Sequence, residues 1–222
     1  MSARASRSHN ERVDLATILE AAADGYFPPQ NGGVTVVPQP SKRDAGVLAF
    51  TAHSVIFLDE DPAWIRATLA TVESDPLAAT MHPAFLSALL GRTARRTDTI
   101  DLLTVAPALP GPPPLPLLPL DQDHSRVRSA RARRDHVRAW RADGGIVTLG
   151  HGVAGRWEVS IEVDEAARHH GLGRLLATAA RHLVPPGAWL WSQQSPGNAR
   201  SVRTFQAAGY RAVGSELLLH PA

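Results

Sequence analysis

The stretch Arg168-His169-His170-Gly171-Leu172-Gly173-Arg174 decides how this chain reads. It follows an alternating run, Arg156 to Val163, that reads as a strand, and precedes a run, Leu175 to Leu183, that reads as a helix. A strand feeding a glycine loop and then a helix gathers backbone N–H groups at a helix N-terminus, and such a cluster binds phosphate. Rival readings of the glycines fail on particular residues. A dinucleotide fingerprint needs a third glycine where Leu176 stands. A P-loop needs Gly-Lys-Ser/Thr, which is absent, and a plain turn has no use for the flanking Arg168 and Arg174.

A second signature follows one strand later: Asn198, Ser201, Phe205, Gly209 and Tyr210. Taken alone it describes a capped helix, with Asn198 as N-cap, Gly209 as stop, and Phe205 and Tyr210 as core. Both signatures in this order resemble the central and downstream motifs of the GNAT superfamily of N-acetyltransferases. The resemblance covers about residues 123–220. It implies an α/β (α+β) fold: a GNAT-type mixed, mostly antiparallel twisted sheet flanked by helices, here with a smaller N-terminal α/β lobe.

The resemblance also implies a chemistry. Acetyl-CoA would serve as cosubstrate, its pyrophosphate on the main chain of His169 to Arg174, with charge-assisted bonds from Arg168 and Arg174. Its pantetheine arm would lie in a V between two splayed strands, against Ile161, Glu162 and Val163. Asn198 would touch that arm, and Ser201 to Phe205 would line the far side. The cofactor set is thus Ile161, Glu162, Val163, Arg168, His169, His170, Gly171, Leu172, Gly173, Arg174, Asn198, Ser201 and Phe205. An amine, of a small molecule or a peptide, would attack the thioester directly. An alkyl amine with a pKa of about 10.4 is almost wholly protonated at pH 7, so a general base is useful.

Here the chain departs from the pattern. Relatives commonly place a tyrosine acid where Phe205 stands, and a phenyl ring donates no proton. On the strand 156–163, Trp157, Val159, Ile161 and Val163 share one face, and Glu158, Ser160 and Glu162 the other. Glu158 is the candidate base, provided that a bulge turns it toward the cofactor; otherwise it is an exposed or salt-bridged strand carboxylate. His53, His136 and His151 have suitable intrinsic pKa values but read first as structural histidines, and Gln193 and Gln194 could order a water. A non-catalytic acetyl-CoA-binding module, a sensor or assembly partner, is therefore the alternative to an enzyme.

Composition bounds the rest. The 222 residues are 44% hydrophobic and contain no cysteine, which excludes disulfides, thiolate metal sites and a cysteine nucleophile. No metal constellation is expected. Met1 to His9 is polar and unlike a signal peptide, and no apolar run is long enough to span a bilayer, so a cytoplasmic protein without a membrane partner is expected. The net charge is only +2, and Lys42 is the one lysine. The run Arg126, Arg128, Arg131, Arg133, Arg134 reads as a solvated helix face rather than a nucleic-acid site. Oligomeric state is open between monomer and homodimer.

Seven prolines between Pro107 and Pro119 suggest an extended connector. The expected organisation is an N-terminal α/β lobe over 1–105, a linker over 106–120, and an acetyltransferase domain over 121–222. In the first part the pattern predicts a helix over 11–23, strands over 34–37 and 47–58, helices from Asp61-Pro62 and over 83–90, and a strand over 100–105. The second predicts a helix over 123–134, a meander over 136–163, the loop and its helix, a strand over 189–194, a helix over 198–208 and a last strand over 210–220.

Overall fold

The structure, a computed structural model, describes residues 14–120 and 124–222. Met1 to His9, the predicted helix start at Glu11 to Val13, and Asp123 lie outside these residues. The strands are β1 (Gly33–Val37), β2 (Ala45–Phe50), β3 (His53–Phe57), β4 (Ile100–Pro107), β5 (Leu118–Pro119), β6 (Asp135–Ala142), β7 (Gly145–His151), β8 (Trp157–Val163), β9 (Trp189–Gln194) and β10 (Arg211–Leu219). They form one mixed sheet in the order β1-β3-β2-β10-β4-β9-β8-β7-β6-β5. Only β1 with β3 and β8 with β9 pair in parallel.

Helices cover both faces. On one face lie α1 (Leu15–Asp24) and α4 (Ser125–Arg131); on the other lie α2 (Pro62–Ala70), α3 (Pro83–Thr93), α5 (Leu172–Arg181) and α6 (Ala199–Ala207). Each helix forms for a local reason. Asp14 accepts the Thr17 N–H at 2.8 Å and starts α1, whose Leu15, Ile18, Leu19 and Ala22 turn to the sheet. Asp61 caps α2 and Pro62 enters its first turn, as the sequence predicts.

Three features differ from expectation. The predicted strand over 47–58 is a hairpin, β2 and β3, joined by Thr51 and Ala52 with Phe50 opposite His53. Ala52 takes a left-handed conformation (φ 55°), a turn without the usual glycine or asparagine signal. The proline stretch is a docked strap. Ala108 and Leu109 donate to the Ala188 and Arg181 carbonyls at 2.9 and 2.8 Å, and Leu118–Pro119 adds a short edge strand to β6. Proline suits that place because an edge strand does not need its N–H.

Most consequentially, the sheet runs through both halves of the chain. β10, from the C-terminal half, lies between β2 and β4, while β4, from the N-terminal half, lies between β10 and β9. The proline boundary divides the sequence but not the sheet. Residues of the expected N-terminal lobe therefore stand beside the expected site.

Candidate active site

β8 and β9 pair only through Trp157↔Leu190 and Glu158↔Trp191. Beyond that point each keeps its other neighbour: β8 pairs with β7 as far as Gly145↔Val163, and β9 pairs with β4 as far as Leu102↔Gln194. The two strands therefore part in a V, and the edge of β8 past Glu158 has no strand beside it.

The glycine loop closes the mouth of that V. Gly171 is the N-cap of α5 in a left-handed conformation (φ 81°), which a side chain would strain. His169 is also left-handed (φ 70°), a cost that loops at binding sites sustain. Helix α5 starts at Leu172 rather than at the predicted Leu175, so Gly173 belongs to its first turn. The first intrahelical bond runs from Leu175 N to Gly171 O at 3.2 Å. The amides of Leu172, Gly173 and Arg174 thus have no intrahelical acceptor, and a glycine N-cap offers no side chain to them. Gly173 allows close packing: a Cβ there would stand 3.2 Å from Thr204 Cγ2 of α6 and 3.6 Å from Val163 Cγ2 of β8.

These elements enclose a cleft of about 770 Å³. It gathers Ile161, Glu162, Val163, Arg168, His169, Gly171, Leu172, Gly173, Arg174, Asn198 and Ser201, which are eleven of the thirteen residues expected to hold a cofactor. Asn198 caps α6 by accepting the Ser201 N–H at 3.1 Å. The remaining two are absent from the lining. His170 is exposed on the loop. Phe205 is a correction: it is only 3% exposed and meets Tyr210 edge-on at 4.9 Å within the core, because its place on α6 faces the sheet. Arg203 and Thr204, within the stretch 201–205 expected on the far side, also line the cleft, and Arg200 joins them from outside that stretch.

Glu158 is corrected as a free general base. The β7–β8 register is unbroken, so no bulge turns its side chain. It is 3% exposed, pairs with Arg134 at 3.0 Å and with Arg156 at 2.8 Å, and accepts from Gln193 Nε2 at 3.1 Å. Arg156 also holds Glu216 of β10 at 2.7 Å. Burial by itself raises the Glu158 carboxyl, but the two arginines more than reverse this and hold it at about 2. A carboxylate so acidic is a poor base near neutrality.

The same pairing predicts an acid limb of stability. The folded-state pKa lies below the ordinary 4.5, so the stabilisation is full above pH 4.5 and is lost as pH falls toward 2. Urea titrations across that window should show the loss in wild type and a flatter dependence in Glu158→Gln; equal slopes would contradict it.

Two of the three candidate histidines are tied into the fold. His53 shares hydrogen bonds with Thr35 at 2.9 Å and Pro29 at 3.1 Å, and His151 with Gly155 at 2.8 Å beside the Trp157 ring. The basic run is less solvated than expected: Arg126 donates to the Ile161 carbonyl at 3.1 Å, and Arg134 to Glu158. Among the described residues, no helix is long and apolar enough to cross a membrane, and no cluster of three His, Cys, Asp or Glu could hold a metal ion.

On the opposite face of the sheet is a second, polar cavity of about 350 Å³, lined by Ser160 of β8, Gln193 of β9, Asp101 of β4 and arginines from α4 and just beyond it. Ser160 and Ile161 are neighbours on the splayed part of β8, so the two cavities approach the V from its two sides. Asp101 lies outside the site expected from the two motifs. The signal was an aspartate inside an apolar strand run, Ile100 to Val105, where that residue is depleted.

The V, the glycine loop and the capped α6 reproduce the arrangement expected from the two motifs. The fold is a mixed, mostly antiparallel sheet with helices on both faces. No family model matches the chain, and no curated protein matches it. Among solved structures it is similar to a GCN5-related N-acetyltransferase from Kribbella flavida, at 17% identity and a TM-score of 0.39, over 62% of this chain and 64% of that one, less than two thirds of the latter's length. It is also similar to an acetyltransferase from the GNAT family from Colwellia psychrerythraea, at 9% identity and a TM-score of 0.40, over 79% and 81%.

Proposed function

We propose that this chain is an acetyl-CoA-dependent N-acetyltransferase that passes the acetyl group directly to an amine. The observation that carries the reading is the 770 Å³ cleft, which joins three uncapped helix amides and two arginines to the open edge of β8. The donor set fits the cosubstrate. The amides of Leu172 to Arg174, with Arg168 and Arg174, suit a diphosphate; the unpaired edge of β8 suits the amide-bearing pantetheine arm. Acetyl-CoA supplies an activated acyl thioester. The protein's part is to hold the arm in register, to present main-chain N–H groups of the β8 edge to the developing oxyanion, and to bring the amine from the other side of the V.

The locked Glu158 and the buried Phe205 favour, as a second reading, a module that binds acetyl-CoA without turnover. Calorimetry with acetyl-CoA, followed by free-thiol release across a broad amine panel, separates them. Binding with turnover supports the enzyme, binding without turnover the module, and no binding refutes both.

A further inference from the structure

The second cavity holds a carboxylate with no stated use. Asp101 is half-buried and forms no hydrogen bond or ion pair with another described residue. It stands one residue beyond the last β4–β9 pair, Leu102↔Gln194, level with the end at which β8 and β9 have parted. On its other side its register partner is Glu216 of β10, another acid. Two acids side by side, one already held by Arg156 and the other without a hydrogen-bond or ion-pair partner among the described residues, leave room for a cation.

The same cavity offers cationic donors with spare capacity. Arg126 Nε is buried, lies 3.4 Å from Glu162 and makes no hydrogen bond. Arg133 reaches Asp98 through a single nitrogen at 2.5 Å, and its side chain is more than half exposed. A bare acid beside unsatisfied guanidinium donors is the complement of a zwitterion. The volume of about 350 Å³ falls at the small end of ligand sites.

We infer that this cavity takes a small amine that also bears a carboxylate, with its ammonium at Asp101 and its anionic group at Arg126 and Arg133, and that Asp101 is the catalytic base. The inference rests on the acetyltransferase reading for its chemistry. Asp101 accepts one proton from the ammonium. The freed nitrogen attacks the thioester carbonyl carbon, a C–N bond forms and the C–S bond breaks. The second nitrogen proton then leaves with the sulfur as the thiol, and Asp101 releases its own proton to water. Burial first, then the Glu216 charge, pushes the Asp101 carboxyl up to about 6, close to working pH, as a base requires. Arg133 opposes that shift and Asp98 adds to it. Among the described residues, the other charged or titratable groups lining the cavity are Arg126 from α4, Arg134 from the segment after it, Glu158 from β8, and Arg43, Asp44 and His220.

Matched pairs test this, each an α-amino acid and the amine lacking its carboxylate: alanine with ethylamine, phenylalanine with phenethylamine, glutamate with 4-aminobutyrate as a displaced-carboxylate control. Calorimetry without any thioester should show at least one amino acid binding about tenfold or more tighter than its decarboxylated partner. Arg133→Met should erase that preference through KM while kcat holds. Asp101→Asn should lower kcat/KM at pH 7 by about 100-fold or more and remove an acid limb centred near pH 6. Its melting temperature should nevertheless rise above pH 6. The raised pKa means that the folded protein carries an uncompensated charge there, which asparagine removes, whereas at pH 3.5 the two proteins should melt alike. Equal binding of both members of every pair, or an Asp101→Asn variant with the parent's pH profile, overturns the inference. Failure to bind acetyl-CoA overturns the acetyltransferase reading instead, since the amine-binding arm is read without it.

Discussion

Arg156→Met will destabilise the fold by about 3–5 kcal/mol, the usual cost of removing one partner from a buried ion pair. Arg156 bridges Glu158 at 2.8 Å and Glu216 at 2.7 Å, and all three side chains are no more than 5% exposed. Those two acids sit on β8 and β10, with β9 and β4 between them in the sheet. Removing the guanidinium leaves Glu216 with only Gln193, at 3.0 Å, and Glu158 with Arg134 alone for counter-charge. Methionine matches the stem and can keep some contact with the Trp191 ring, over which the guanidinium now lies at 5.3 Å. What is lost is therefore mainly charge compensation. Urea unfolding at pH 7 should show the full loss, and adding Glu216→Gln to the variant should recover part of it. A single variant as stable as the parent would mean that the acids are compensated from elsewhere.

Gly173→Val should weaken acetyl-CoA binding by about 100-fold or more while the protein still folds. A Cβ at this position already crowds Thr204 Cγ2 at 3.2 Å, so two further methyl groups must push the first turn of α5 away from α6. The amides of residues 172–174 would turn with it. Hydrogen bonds to charged groups contribute about 1.5–3 kcal/mol each, and losing two of them gives the stated factor. Gly171 is the companion test. No atom lies within 4 Å of a Cβ there, so Gly171→Ala is opposed by backbone conformation (φ 81°) and not by crowding. It should weaken binding less than Gly173→Val. Calorimetry on both variants, with circular dichroism to show that helix and sheet persist, reads the result. Parental affinity in Gly173→Val would remove the glycine loop from the binding site.

The loop itself could be read from its residues because its chemistry is local. Glycine at 171 and 173, arginine at 168 and 174, and a strand before and a helix after need no distant partner to be recognised. The same holds for Asn198 as a cap. Phe205 was misplaced because position along α6 does not say which way a ring turns when both a cleft and a core adjoin the helix. Glu158 was left between two roles because alternation assigns a face but not the charges that meet it there. Arg134 and Arg156 were visible as arginines, yet only folding brings them to one carboxylate.

From sequence alone came the order of the strands and helices around the glycine loop, since each depends on residues close together in the chain. Tertiary structure alone decided that β4 and β10 interleave, that the proline stretch is a docked strap, and that Asp101 stands beside Glu216 at the edge of a cavity behind the V. Those pairings join segments far apart in the chain, and hydrogen bonding between such segments leaves no periodicity in the sequence to announce it.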